Sequence, residues 1–253
     1  MIKDADRLLL FLDYDGTLTG FRREPMDARP SKRMLNILSK LAAGPRTYIT
    51  IVSGRDIASL LELFKGFDHS ILNWSGTHGM QIRFRGSRKV ESAGTLPCIT
   101  SLKDEISIII RQCPCFILED KGLSFALHHR KCSGKALQHL DRIKRLIAGY
   151  RKENPIEVMN MKKVIEVKPT GTNKGNAVNA IISYYGNAGD YLSICMGDDV
   201  TDEYLFQANP GGINIKVVSV PEHETSAGYF LKGVSDVYWF LKEVSRLRYG
   251  TLS

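Results

Sequence analysis

Two carboxylates, Asp13 and Asp15, stand immediately after the apolar run Leu8-Leu9-Leu10-Phe11-Leu12 and before a Gly16-Thr17-Leu18 turn. A carboxylate can attack phosphorus and carry it as an aspartyl-phosphate. A second carboxylate within reach can give and take the proton that such a reaction moves. Three further stations follow. Val52-Ser53-Gly54-Arg55 sets a hydroxyl ahead of a glycine, where it can donate to a phosphate oxygen that approaches the backbone. Asn173-Lys174-Gly175 puts an ammonium at a helix start, a poor place for a cation without an anionic partner and a good one for stabilising a transferring phosphoryl group. Gly197-Asp198-Asp199-Val200-Thr201-Asp202-Glu203 crowds hard oxygen ligands of the kind that suit Mg²⁺. Each station has a plainer reading when taken alone: an Asp-Gly turn, a Ser-Gly turn, a surface lysine, and a helix cap at Asp199. In the last of these, Asp198 is the expected ligand, while Asp202 and Glu203 mainly serve the helix dipole.

These stations need elements to hold them. Leu8 to Leu12 reads as a buried strand, which sends Asp13 and Asp15 out of its carboxyl end, where open α/β sheets bind ligands. Ser31 is an N-cap for the periodic stretch Met34, Leu35, Ile37, Leu38 and Leu41, which Gly44-Pro45 stops. Thr47 to Val52 is a β-branched buried strand, Asp56 to Phe64 a helix, and Ile71 to Trp74 a third strand. Alternation resumes late in the chain, with helix from Lys174, strand from Tyr191 to Met196, helix from Thr201, strand from Ile213 to Val218 and a closing helix from Val237. Such alternation predicts a Rossmann-like α/β core with a parallel sheet. The middle differs. A hairpin near Met80 to Glu91 precedes a helix near Thr100, strands Phe116–Glu119 and Leu123–His128, a helix near Lys135 to Tyr150, and two short strands near Ile156 and Val164. That series predicts an α+β cap inserted over residues 86–168, with the core made of residues 1–85 and 169–253.

Composition narrows the classes. A chain of 253 residues with 43% hydrophobic and 25% charged residues suits a soluble globular protein, and no apolar run approaches membrane-span length. It is expected to be cytoplasmic and monomeric, with no membrane partner. The net charge of +8 is regional: residues 86–168 carry +7 and the remainder +1. Such an excess can steer a phosphorylated small molecule, bind a polyanion, or simply solvate a surface. No aromatic-interleaved basic stretch supports nucleic acid. Five cysteines, of which only Cys113 and Cys115 are close-spaced, support neither a zinc site nor a disulfide framework, so free thiols in a reducing compartment are expected.

The order of the four stations resembles the haloacid-dehalogenase-like phosphatases. That resemblance implies Asp13 as nucleophile and Mg²⁺ ligand, and Asp15 as acid/base that lends a carbonyl to the metal. Ser53 and Lys174 would hold the phosphoryl group, with Asp198 and Asp199 at the metal. Gly16, Thr17, Gly54, Arg55 and His78 are the further candidates for phosphate and substrate binding. Within that superfamily, Leu118 to Arg130, Gly76 to Met80, Val164 to Pro169 and Gly171 to Gly175 resemble the trehalose-6-phosphate phosphatases, and the likeness runs from Leu9 through the final helix. It implies that Glu119, Lys121 and Glu166 grip sugar hydroxyls. His129 departs from the usual Tyr, and Met161 from the usual Gly. The expected activity is Mg²⁺-dependent hydrolysis of trehalose 6-phosphate. The alternatives are another sugar phosphate, of the sucrose 6-phosphate or mannosyl-phosphoglycerate type, and, more remotely, a non-catalytic polyanion binder.

Overall fold

The computed structural model describes residues 1–161, 163–186, 190–220 and 224–250. The chain forms two compact units, one of Met1–Ser92 with Asn173–Ser253 and the other of Ala93–Thr172. The first unit is built on β1 (Arg7–Asp13), whose residues from Leu8 onward are all buried. A strand covered on both faces has to be apolar throughout, which explains the unbroken run. β1 pairs in parallel with β2 (Thr47–Val52), and β2 with β3 (Asn73–Gly76). β4 (Gln81–Arg83) and β5 (Glu91–Ser92) continue that side antiparallel. On the other side of β1 lie β10 (Tyr191–Gly197), β11 (Ile213–Val217) and β12 (Tyr229–Leu231), all parallel. The order is therefore β12-β11-β10-β1-β2-β3-β4-β5. The chain moves outward from β1 in one direction and returns on its other side, so the end of β1 is a switch point where a crevice opens.

Strand periodicity divides the core in two. Leu8, Leu10 and Leu12 pack with α1 (Lys32–Ala43), α2 (Ile57–Leu63) and α7 (Val234–Tyr249). Leu9 and Phe11 pack with Ala177, Val178 and Ile181 of α5 (Gly175–Tyr185) and Leu205 and Phe206 of α6 (Glu203–Gln207). Asp13 continues the odd-numbered series, on the face of α5 and α6. The expected caps form: Ser31 Oγ accepts from the Met34 N–H, and the Asp56 carboxylate from the Ser59 N–H.

The second unit holds α3 (Pro97–Ile110), α4 (Ala136–Glu153) and an antiparallel sheet ordered β6-β7-β9-β8. Its strands are β6 (Ile117–Asp120), β7 (Phe125–His128), β8 (Ile156–Met161) and β9 (Val164–Pro169). Phe125, Leu127, Ile165 and Val167 pack with Ile99, Leu102 and Ile106 of α3 and Leu140, Ile143 and Ile147 of α4. The division falls at 92/93 and 172/173 rather than at 86 and 168. β5 pairs with β4 in the core sheet, and β9 runs on to Pro169. α3 starts at Pro97, earlier than the apolar period indicates, because a proline suits the first helical turn. β12 was not expected. It is a three-residue edge strand with no alternation, held by backbone pairing to β11.

Phe11 is fully buried between β1 and the two helices beneath it. Phe11→Ala is expected to cost about 3–5 kcal/mol of stability, read as a lower urea midpoint at unchanged slope. A loss under about 1 kcal/mol would mean that this face is not close-packed.

Candidate active site

Five loops of the first unit meet at the carboxyl end of β1, and glycines set how closely. Gly16 has φ +85°, and a Cβ there would lie 2.0 Å from Asp198 Oδ2, so the turn after β1 abuts the loop after β10. A Cβ on Gly54 would lie 2.7 Å from the His78 ring. His78 is buried at φ +53°, and its N–H donates to the Ser53 carbonyl at 3.1 Å. Thr77, at φ +48°, donates to the Arg55 carbonyl at 2.8 Å. Two consecutive non-glycine residues in the left-handed region are strained, and these two bonds, both donated by their N–H groups, lock them to the Ser53 turn. Gly79 lets the same loop approach the Asn173 carbonyl, beside Lys174.

The centre is a buried charge cluster. Lys174 Nζ donates to Asp13 Oδ1 and Asp202 Oδ1, both at 2.6 Å. Asp202 has no exposure, and its other oxygen accepts from the Asp199 N–H at 2.9 Å. Carboxylate oxygens of Asp13, Asp198 and Asp202 lie within 4.8 Å of one another. Burial opposes the charge on Lys174, but Asp13 and Asp202 outweigh it and keep the ammonium protonated. Burial, then Asp202, push the Asp13 carboxyl well up against the pull of Lys174. Asp198 is pushed up to about 6 by burial and then by Asp202. With all three carboxylates ionised, one ammonium leaves two negative charges uncompensated. Asp13 Oδ2 is buried with no hydrogen-bond donor. Hard oxygens, a twofold charge deficit and an orphaned oxygen together fit a divalent cation.

The other candidates fall into place around this cluster. Ser53 is buried, and its Oγ accepts from the Arg55 N–H at 3.1 Å, which leaves its own proton free to donate. Thr17 is buried, with no partner for its hydroxyl. Asp15 does not join the carboxylate cluster. Arg55 grips it bidentately, Nε to Oδ2 and an Nη to Oδ1, both at 2.7 Å. The expected anion-binding arginine thus holds the second carboxylate of the pair. Asp199, expected at the metal, is exposed and caps the short turn Val200–Asp202. Asp202 lies in the cluster in its place, because that turn curls back beneath Gly197, where a Cβ would lie 2.2 Å from Asp202 Cγ. Lys216 was not anticipated. It is buried in β11, and it donates to the Asp199 carbonyl at 2.8 Å and pairs with Glu203 at 3.0 Å, fixing the acidic loop from behind. A lone lysine within Ile213–Val217 was the available signal.

The second unit carries a polar row. Cross-strand register aligns Glu119 with Ala126 and Ala126 with Glu166, so both carboxylates share a face with a small residue between them. Lys121 Nζ pairs with the buried Glu166 at 3.0 Å. His128 Nε2 lies 2.8 Å from Glu119, and this bond, before any other cause, holds the Glu119 carboxyl below its usual range. His129 sits just beyond, its N–H on the Lys163 carbonyl. The Met161 side chain lies outside the described residues.

Comparison with known proteins agrees with this geometry. The trehalose-phosphatase family model matches residues 11–235. The chain is 34% identical over 254 residues to an alpha,alpha-trehalose-phosphate synthase (UDP-forming) B of Dictyostelium discoideum, covering 96% of this chain but 31% of that protein. It is 33% identical to a trehalose-phosphatase of Schizosaccharomyces pombe, spanning 26% of it. It is 30% identical over 241 residues to the trehalose-6-phosphate phosphatase of Escherichia coli, covering 93% of this chain and 85% of that one. Among solved structures, the C-terminal domain of Candida albicans trehalose-6-phosphate phosphatase superposes with a TM-score of 0.81 at 25% identity, over 97% of this chain and 95% of that chain.

The charge deficit makes a test of the acidic cluster. Asp198 takes up its proton at about 6 in the folded chain and at its ordinary value of 3.8 when unfolded. Between those values the folded state binds more protons, so stability without a cation falls as pH rises through that window. A cation bound to the ionised cluster offsets this loss. Millimolar Mg²⁺ is therefore expected to raise the thermal midpoint by several degrees near about pH 7.5 and far less near about pH 5. No Mg²⁺-dependent shift at either pH would leave the cluster a helix cap only.

From the matched family model and the relatives together, the chain belongs to the trehalose-phosphatase family.

Proposed function

We propose that this chain is a Mg²⁺-dependent phosphatase that hydrolyses trehalose 6-phosphate to trehalose and phosphate through an aspartyl-phosphate on Asp13. The observation that carries the reading is the bridge from Lys174 to Asp13 and Asp202 at the end of β1. Lys174 pins one oxygen of Asp13 and leaves the other without a donor, aimed neither at solvent nor at a partner. That oxygen attacks phosphorus, and the bond from phosphorus to the sugar oxygen breaks. Asp15 supplies the proton to the departing sugar oxygen and then takes one from the water that opens the acyl phosphate. The Ser53 hydroxyl and Lys174 hold the phosphoryl oxygens, with Gly16, Gly54 and Thr17 lining the approach. Mg²⁺ held by Asp13 and Asp198, with Asp202 behind them, would neutralise charge on the phosphoryl group. In the second unit, Glu119, Lys121 and Glu166 serve as the sugar reader. The printed name of the Escherichia coli relative supports the choice of substrate.

Asp13→Asn is expected to remove turnover by at least about a thousandfold, since an amide is a poor nucleophile. Asp15→Asn should be severely impaired as well. Phosphate release within tenfold of wild type for Asp13→Asn would overturn the covalent route.

Sugar reading separates from phosphoryl transfer when two substrates are compared. Glu119→Ala, Lys121→Ala or Glu166→Ala should each cut kcat/KM for trehalose 6-phosphate by about tenfold or more, the effect of about 1–3 kcal/mol per unpaired polar contact. Hydrolysis of p-nitrophenyl phosphate should stay near wild type. Equal losses on both substrates would assign these residues to folding. A wild-type chain that ignored trehalose 6-phosphate but cleaved sucrose 6-phosphate would keep the chemistry and change the substrate.

A further inference from the structure

Cys113-Pro-Cys115 lies between α3 and β6, and Cys132 lies between β7 and α4. Nothing in their sequence spacing pairs them, but the hairpin does. β6 and β7 run antiparallel with Ile117 opposite His128, so the segment before β6 and the segment after β7 leave the open end of the hairpin side by side. The Cys132 N–H then donates to the His129 carbonyl at 3.2 Å and turns the chain back. The Cys132 thiol ends 2.6 Å from Cys115 Sγ, Sγ to Sγ, and both are free and half-exposed. Cys113 is half-exposed too and near enough to act on Cys132.

We propose that Cys115 and Cys132 form a reversible dithiol–disulfide modification site in the second unit, oxidised by a small-molecule disulfide of the glutathione class. The Cys115 thiolate attacks one sulfur of the oxidant. The oxidant's S–S bond breaks, and one thiolate leaves with the electron pair. Cys132 gives its proton to water and attacks the Cys115 sulfur of the mixed disulfide, and the second thiol leaves. Two protein thiols are oxidised to one disulfide as one small disulfide is reduced to two thiols. Burial, and then the neighbouring Cys115 and Cys113, push the Cys132 thiol up. Both residues are only partly buried, so a reducing thiol can open the bond again. The bond closes a loop over Glu119, Lys121 and His128, stapling the open end of the hairpin that presents them. The site does not depend on the phosphatase reading.

The test uses the reduced, folded chain in excess glutathione disulfide, quenched with an alkylating agent and mapped by mass spectrometry without reduction. The expected product is lighter by two hydrogens and joins peptide 112–121 to peptide 132–135. It should return to thiols in dithiothreitol. It should persist in Cys113→Ser and Cys98→Ser and vanish in Cys115→Ser and Cys132→Ser. A link carried by Cys113 in place of Cys115, glutathione left on Cys115 beside a free Cys132, or no product from the folded chain would each overturn the proposal.

Discussion

The buried ammonium of Lys174 between Asp13 and Asp202 is the constraint on which the rest of the first unit depends. Taking three carboxylates out of water is costly, and one cation does not repay it. Replacing such a cluster with apolar side chains would generally stabilise a fold, so its presence here points to chemistry rather than stability. The fold accommodates the cluster by close approach and hydrogen bonds around it. Gly16 and Gly197 admit the carboxylates of Asp198 and Asp202 where any side chain would collide. Lys216 braces the acidic loop through the Asp199 carbonyl and Glu203.

Topology explains why these groups meet although more than 180 residues separate Asp13 from Asp202. β1 lies between β2 and β10, so the loops after β1, β2 and β10 all emerge at one edge of one sheet. The period of two along β1 puts Asp13 on the face that Leu9 and Phe11 share with α5 and α6. Those helices start with Lys174 and follow Asp202. The same apolar packing that buries Phe11 therefore sets the ion-pair geometry one residue pair further along.

Much of this was legible in the sequence, for identifiable reasons. β1, β2 and β10 announce themselves as unbroken apolar runs because helices cover both faces of the sheet, and the chemical residues follow directly where those runs stop. The choice between Asp199 and Asp202 was not legible. Both are acidic residues near a helix start, where the dipole alone explains them. Only the turn of chain between them decides which carboxylate faces inward. Arg55 looked like an anion ligand by type, but its partner Asp15 is 40 residues away in sequence, a distance over which composition is silent. The thiol pair stayed hidden for the same reason, since the register of a hairpin rather than spacing brings Cys115 to Cys132. β12 lacked any pattern because backbone pairing at an edge asks little of side chains.

The two polar sites differ in how their charged groups are partnered. In the first unit the carboxylates outnumber the ammonium, so the cluster attracts cations. In the second unit each carboxylate of the row has a hydrogen-bonding partner within the row. Lys121 answers Glu166, and His128 answers Glu119. The row offers carboxylate acceptors and an ammonium donor at set positions on a pleated face, with Ala126 leaving room between them. Hydroxyl groups, which both donate and accept, are the partners such a row can satisfy without leaving a charge buried and unpaired.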